Sequence, residues 1–395
     1  MISHEKALQI VLEKVGKSAI AAVEPQNAFG FACAEKIYSP MEYPPWNKSI
    51  RDGYGILISD AGKDVKVSGL TAPGGPQKYT IEKGVASGIL TGGICSSDME
   101  AVVKIEDVVN NTDGTITLPV DIVPGMNIEK KGSVLRTGDI ILDEGDELTP
   151  AAIGALAFTG ISKIKVWSAP RVKIIITGDE IVPPSETPSQ FQFRDSNSGI
   201  ISSVLFRNRV SDISVHYVKD NHDDYKEILT TELPEIVILS GAVSMGKYDF
   251  VPEILNSIGV EKHFHRVSQK PGRPLFFGTR NETLFFGLPG NPMASKFCMD
   301  YYVAPAIRKL MGLKYHSLKI AARLEKTIET HSPRTQFISG ITSFYNGEIS
   351  FLTLEEKGSS DIFSGAKANS YAIKEQGDTT LKDQMVTVLP SDIFI

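Results

Sequence analysis

Cysteine, long apolar runs and a surplus of either charge are all scarce in this chain of 395 residues, and each scarcity removes a class of protein. The three cysteines, Cys33, Cys95 and Cys298, lie far apart and form no Cys-x-x-Cys pair. Neither a disulfide framework nor a zinc knuckle is expected, and a reducing cytoplasm fits. No apolar run approaches the roughly 20 residues that a membrane-spanning helix needs. The opening Met-Ile-Ser-His-Glu-Lys runs into an amphipathic pattern rather than a basic region followed by an apolar one, so no secretory signal is expected. A net charge of −6 gives no general electrostatic reason to bind nucleic acid or an anionic membrane. The seven histidines include no His-Glu-x-x-His. His263 and His265 would share one face of a strand, a metal pair at best. With no third ligand nearby in sequence, a half-exposed polar face is the plainer reading.

What is present is the composition of a globular protein, 22% charged and 42% hydrophobic. The length exceeds one ordinary core and predicts roughly two to four domains. Ser3 can cap a helix whose Leu8, Val11, Leu12 and Val15 fall on one side, with Gly16 as its stop. The stretch Trp46 to Gly55 reads as an ordered loop leading into a strand. From Ile56 to Leu148 short strand-like runs alternate with turns, and Thr149-Pro150 opens a helix to about Thr159. Residues 1–168 thus read as an N-terminal region, a helix plus mostly β structure in two interleaved subdomains. Residues 169–312 alternate strand and helix at the spacing of a doubly wound α/β sheet. Residues 313–395 are strand-like almost throughout, which predicts a small C-terminal β-barrel or sandwich.

The α/β region carries the chemistry. Glu235-Ile-Val-Ile-Leu-Ser-Gly241-Ala-Val-Ser244-Met-Gly246 and Phe286-Gly-Leu-Pro289-Gly290-Asn-Pro292 follow short apolar runs, and Gln269-Lys270-Pro-Gly-Arg273-Pro precedes one. In an open α/β sheet, ligands bind outside the carboxyl ends of the strands, where glycine lets backbone come close. Backbone N–H groups of such loops can form a nest for anionic oxygens. Neither the Walker pattern nor the dinucleotide fingerprint occurs here. Glu180, in Thr177-Gly-Asp-Glu, and Asp249 are candidate carboxylates for a divalent cation, with helix capping and surface charge as the bland alternative. Residues 262–280 hold Lys262, Arg266, Lys270, Arg273 and Arg280 and no acid. Arginine offers a planar fork to an oxyanion and lysine a mobile point charge. Ser49, Arg51 and Asp52, with the turn Thr91-Gly-Gly, form a second polar set far away in sequence. Their separation suggests that another domain, from this subunit or a second one, closes over the site. The residues alone predict a phosphorylated or adenylated small molecule together with Mg²⁺.

Five motifs then occur in a recognisable order. They are Pro44-Pro-Trp-Asn-Lys-Ser-Ile-Arg-Asp52-Gly-Tyr54, Thr177-Gly-Asp-Glu180, Ser240-Gly-Ala-Val-Ser-Met-Gly246 with Asp249, Lys270-Pro-Gly-Arg-Pro274 and Gly287-Leu-Pro-Gly-Asn-Pro292. In this order the chain resembles the molybdopterin molybdenumtransferase family, of the bacterial MoeA type and similar to the E domain of gephyrin, over essentially its whole length. The resemblance implies insertion of molybdate into adenylylated molybdopterin, with Mg²⁺-dependent release of AMP. It also implies a homodimer of four-part protomers, whose site lies between the α/β domain of one subunit and the N-terminal part of the other. Matched by motif, Asp52, Glu180 and Asp249 would be the catalytic, metal-holding acids, with Asp220 as a further acid and Thr91 as a hydroxyl. Arg266, standing where lysine is usual, and Lys270 would bind anion. Pro289 and Pro292 would shape the pocket, and Ser359 would reach it from the tail. A molybdopterin adenylyltransferase would be the partner enzyme. The chain departs from the pattern at residues 94–100 and in the loop 127–136, where Lys130, Lys131 and Arg136 are the basic candidates.

Two rival functions share the fold. Molybdopterin adenylyltransferases resemble the central region alone, so the long N-terminal β segment and the tail argue against that activity. A non-catalytic dimeric scaffold is weakened by the retained acids.

Overall fold

The computed structural model describes residues 1–75, 79, 81–219, 222–241, 251–315, 317–329, 332–355, 361–375 and 379–391. The chain divides into two compact units. The first contains residues 1–35, 144–153 and 163–395; the second contains residues 36–143 and 154–162.

At the centre of the first unit is a six-stranded sheet. Its order is Ile213–Val218, Val172–Thr177, Ile236–Ser240, Thr283–Leu288, Phe276–Arg280, Glu261–His265. The first four are parallel, and the last two form an antiparallel edge. Every residue of Val172–Thr177, Ile236–Ser240 and Thr283–Leu288 is buried, as strands covered on both faces must be. Side chains alternate between two cores. Ile174, Ile176, Ile236, Ile238, Leu284 and Phe286 face the first core, with Ile201 and Leu205 of helix Asn197–Arg207. Ile175, Val237, Leu239 and Phe285 face the second, with Tyr225 and Leu229 of helix His222–Thr230 and Ile254 of helix Val251–Ser257. This is the doubly wound arrangement that the strand–helix alternation predicts.

One cation is built into it. Lys173 is buried, and its Nζ donates to the carbonyl oxygens of Ile228 (3.1 Å) and Glu232 (3.3 Å) and to Thr231 Oγ1 (3.1 Å). Those acceptors lie at the C-terminus of helix His222–Thr230, where backbone oxygens lack helical partners. Burial pushes the Lys173 ammonium below its ordinary pKa.

Helix His4–Lys14 starts where expected, with Ser3 Oγ accepting from Lys6 N at 3.2 Å. The last helical stretch of the α/β part is not one regular helix but Pro292–Cys298, a wide π turn over Met299–Val303, then Ala304–Leu310. Pro305 has no N–H to donate to the preceding turn, and a local widening is one way a helix continues past such a residue.

In the C-terminal part, strands Ile320–Leu324, Thr335–Tyr345, Glu348–Thr353, Ser370–Lys374 and Met385–Pro390 pair in a ring. Thr335–Tyr345 closes it by pairing with both Glu348–Thr353 and Ser370–Lys374. The structure is therefore a closed barrel, with Ala322, Leu324, Phe351, Ala372 and Val388 inside. Gly340 makes room for its filling: a Cβ there would meet the Phe351 ring at 2.2 Å.

The second unit is built on a six-stranded sheet ordered Ala101–Lys104, Gly53–Ile56, Val85–Ile89, Asp64–Thr71, Thr115–Thr117, Val109–Asn110. At Gly53 a Cβ would lie 1.9 Å from the Val103 carbonyl oxygen, so the Asp52-Gly53 step tolerates no side chain at its second residue.

Phe297 joins the barrel to the α/β part: its ring lies 4.4 Å from Phe337 and 5.4 Å from both Tyr301 and Tyr371, centre to centre. Phe297→Ala should cost about 3–5 kcal/mol by opening a cavity at this junction. The check is the shift of the urea unfolding midpoint.

Candidate active site

Strand Val172–Thr177 has neighbours on both sides, Ile213–Val218 and Ile236–Ser240, both parallel to it. The chain passes from it to Ile213–Val218 on one side and from there to Ile236–Ser240 on the other, and this reversal opens a crevice at the carboxyl ends of the strands. Three loops meet there. Thr177 Oγ1 donates to the Ser240 carbonyl oxygen at 3.2 Å. Gly241 has φ +117°, and a Cβ there would stand 2.7 Å from Thr177 O and 2.8 Å from Thr177 Oγ1. A Cβ at Gly290 would stand 3.4 Å from Gly241 Cα. The glycines therefore bring backbone to backbone, as the sequence pattern requires.

A residue outside the sequence-derived set ties these loops together. Asn197 is buried; its Nδ2 donates to Ser240 Oγ at 2.8 Å and to the Gly290 carbonyl oxygen at 2.9 Å. In sequence it looks like part of a helix cap. That task belongs to Asp195, whose carboxylate accepts from Asn197 N (2.7 Å), Ser198 N (3.2 Å) and the Tyr217 hydroxyl (3.1 Å). Glu180 lies close to the end of the first strand. At Gly178, φ +127°, a Cβ would meet the two Glu180 carboxylate oxygens at 2.8 and 2.9 Å. The acid folds back over a position where any side chain would displace it.

The basic loop is fixed from below. Fully buried Gln269 donates from Nε2 to Gly272 O at 3.0 Å, and its Oε1 accepts from the Tyr302 hydroxyl. Gly272 has φ +77°, and a Cβ there would stand 2.7 Å from Cys298 Sγ, on the helix that begins at Pro292. Gln269 and Gly272 supply the anchor of this loop. Lys270 and Arg273 on either side are exposed. Arg266 adopts φ +95°, with its N–H donating to Leu275 O at 3.0 Å. Among the described residues, Arg266, Lys270 and Arg273 have no carboxylate partner.

The polar set of the second unit is also assembled. Thr91 donates to Asp52 Oδ1 from its backbone N–H at 2.7 Å and from Oγ1 at 2.8 Å. The backbone bond first, then the hydroxyl, holds the Asp52 carboxyl below the ordinary carboxylate range. Ser49 is buried and donates from Oγ to Arg51 O at 2.5 Å, which shapes the loop before Gly53. Of the basic residues in the 127–136 loop, Lys131 is engaged by Glu42 at 2.9 Å. Asp220, Ser244, Gly246, Asp249 and Ser359 lie outside the described residues. His263, the first of the two strand histidines, is bonded through Nε2 to Thr279 Oγ1 at 2.8 Å, as an ordinary strand residue would be.

Relatives with curated names resemble the chain along most of its length. A molybdopterin molybdenumtransferase from Haemophilus influenzae is 31% identical over 365 residues, covering 89% of this chain and 88% of that one. One from a Nostoc species is 32% identical over 383 residues, covering 92% of this chain and 87% of its own. The chain belongs to the molybdopterin molybdenumtransferase family. Family models agree: one described as the MoeA N-terminal region (domain I and II) matches residues 2–160. Another, described as a probable molybdopterin binding domain, matches residues 173–309. The crystal structure of a molybdopterin biosynthesis MoeA protein from Pyrococcus horikoshii superposes with TM-score 0.83 at 26% identity, covering 100% of both chains. The membership that five ordered motifs imply, and the combination of α/β, mostly β and barrel parts expected of this molybdenumtransferase, are both found.

Asp52 should remain ionised to lower pH than a free aspartate. In Thr91→Val the backbone bond stays and the hydroxyl bond is lost, so the Asp52 titration should move up toward the ordinary value. Carboxyl ¹³C NMR of the two proteins across pH 2–6 checks this; an unchanged midpoint would count against the hydroxyl's part.

Proposed function

We propose that this molybdenumtransferase-family chain inserts molybdate into adenylylated molybdopterin, releasing AMP and forming molybdenum cofactor. The observation that carries the reading is the junction of three strand ends at Thr177, Ser240 with Gly241, and Gly290, tied by the Thr177 hydroxyl and brought close by glycine. The helix that starts beside that floor anchors the loop bearing Lys270 and Arg273. Such a floor suits the phosphate and pterin portions of an adenylylated ligand, which need backbone N–H groups close by. Molybdate is a tetrahedral dianion. Lys270 supplies a mobile point charge for it, while Arg266 and Arg273 supply planar forks. Cations held without carboxylate partners are preorganised for an incoming oxyanion rather than reorganised by it.

Among the described residues no three metal-binding side chains cluster, and Glu180 is the described donor of the set we assign to magnesium. Glu180 presents both carboxylate oxygens over Gly178 with nothing between, and hard oxygen ligands are what that ion takes. Glu180 would hold it together with Asp249, with Asp52 as a further acid and Asp220 as a weaker candidate. When bound, it would withdraw charge from the pyrophosphate. Thr91 keeps Asp52 charged for that task. In this reading Pro289 and Pro292 would shape the remainder of the pocket, with Ser244, Gly246 and Ser359 assigned to it by the resemblance alone. No side chain is assigned as a nucleophile: the two pterin thiols form Mo–S bonds as one molybdate oxygen leaves with their protons as water, and a water attacks the pyrophosphate as AMP leaves.

In our reading the working division is 1–168, 169–312 and 313–395, and the chain acts as a cytoplasmic homodimer in which a second copy supplies Asp52 and Thr91. Its substrate comes from a molybdopterin adenylyltransferase. No helix among the described residues is long and apolar enough to cross a membrane.

The test mixes the protein with adenylylated molybdopterin, Mg²⁺ and molybdate. AMP release that depends on molybdate is expected; consumption of ATP with free molybdopterin would select adenylylation, and neither would select a scaffold. Asp52→Ala and Glu180→Ala should each lower AMP release by about 100-fold or more while staying folded. Mixing those two inactive variants should restore part of the activity if each site draws acids from both copies. Wild-type turnover in either single variant would end the assignment of that acid.

A further inference from the structure

We propose that Asn197 is a positioning residue for this site, a clamp that holds the loop 289–291 against the end of strand Ile236–Ser240. It takes its ligand from the function proposed above and its geometry from the structure alone. The Gly290 carbonyl oxygen can only accept, so the amide nitrogen of Asn197, not its oxygen, must face it at 2.9 Å. The second proton of that nitrogen goes to Ser240 Oγ at 2.8 Å, and Ser240 is itself 1% exposed. Both protons are therefore spent on two of the three loops of the floor, and the third is bonded to Ser240 through Thr177. With the amide orientation fixed, Asn197 Oδ1 is left buried without a donor among the described residues. An unpaired buried acceptor is costly, and a side chain that merely started a helix would not need to carry it. The helix start is secured independently by Asp195.

The clamp acts on where Gly290 lies. Gly290 sits where a Cβ would be 3.4 Å from Gly241 Cα, so release of its carbonyl frees the loop to leave the floor. The consequence is a loss of ligand affinity rather than of the chemical step: Asn197 touches the loops and not the reacting atoms.

Three variants of the full-length protein test this. Asn197→Ala removes the clamp; Asn197→Asp keeps the size and an oxygen but has no amide protons. Val204→Ala, a cavity variant in the same helix, reports on destabilisation alone. In both Asn197 variants the Gly241 and Ser295 amides, which donate to Leu288 O and Asn291 O, should exchange with solvent at least about tenfold faster than in wild type. Both should bind AMP with Mg²⁺ roughly 10- to 100-fold more weakly, with KM for adenylylated molybdopterin raised and kcat within about threefold. Val204→Ala should lose stability without these changes. Wild-type exchange in Asn197→Ala, or an Asn197→Asp that behaves as wild type, would overturn the proposal, as would a Val204→Ala that matches the Asn197 variants. A wild-type protein that releases no AMP would instead remove the assigned function, and the exchange comparison would still decide the clamp.

Discussion

Backbone-to-backbone contact at the carboxyl ends of the parallel strands is the constraint on which the site rests. Thr177 and Gly241 approach so closely that a single methyl group at the glycine would overlap a carbonyl oxygen. Only glycine meets both this closeness and the positive φ without strain. Glu180 bends over the end of the same strand, and Asn197 fastens the neighbouring loops.

The same economy recurs under the basic loop. A lysine and an arginine exposed on a surface are ordinary; on a loop whose interior is a buried glutamine bonded to a tyrosine, they have restricted freedom. Rigid placement lowers the entropy lost when an oxyanion is gripped, and so separates a binding loop from a solvated one. In the second unit Thr91 does comparable work with two short bonds to one carboxylate oxygen, fixing its orientation and lowering the carboxyl's affinity for a proton.

Much of this was readable from the residues. Runs such as Val172–Thr177 and Ile236–Ser240 announce buried parallel strands, and the glycines that follow them mark close approach. The ordered motifs name the family, and two curated relatives bear the name out. What stayed hidden depended on long-range geometry. Asn197 acts on residues 43 and 93 positions away, and nothing in Asp195-Ser-Asn-Ser distinguishes a clamp from a cap. Gln269 sits inside the motif that was read for its charges, yet its value comes from Tyr302. Barrel and sandwich share one alternating pattern, and only the double pairing of Thr335–Tyr345 separates them. The wide turn at Met299–Val303 was missed because Pro305 lies in an otherwise helical run.

The order of the segments along the chain bears on how the protein is made. The second unit consists of residues 36–143 and 154–162, so it is complete once residue 162 has been synthesised. The first unit then possesses only residues 1–35 and 144–153 and must wait for the stretch that begins at 163. Its opening helix, His4–Lys14, is thus made long before the residues that bury its Ala7, Leu8 and Val11, so this unit closes only when its first and last segments meet.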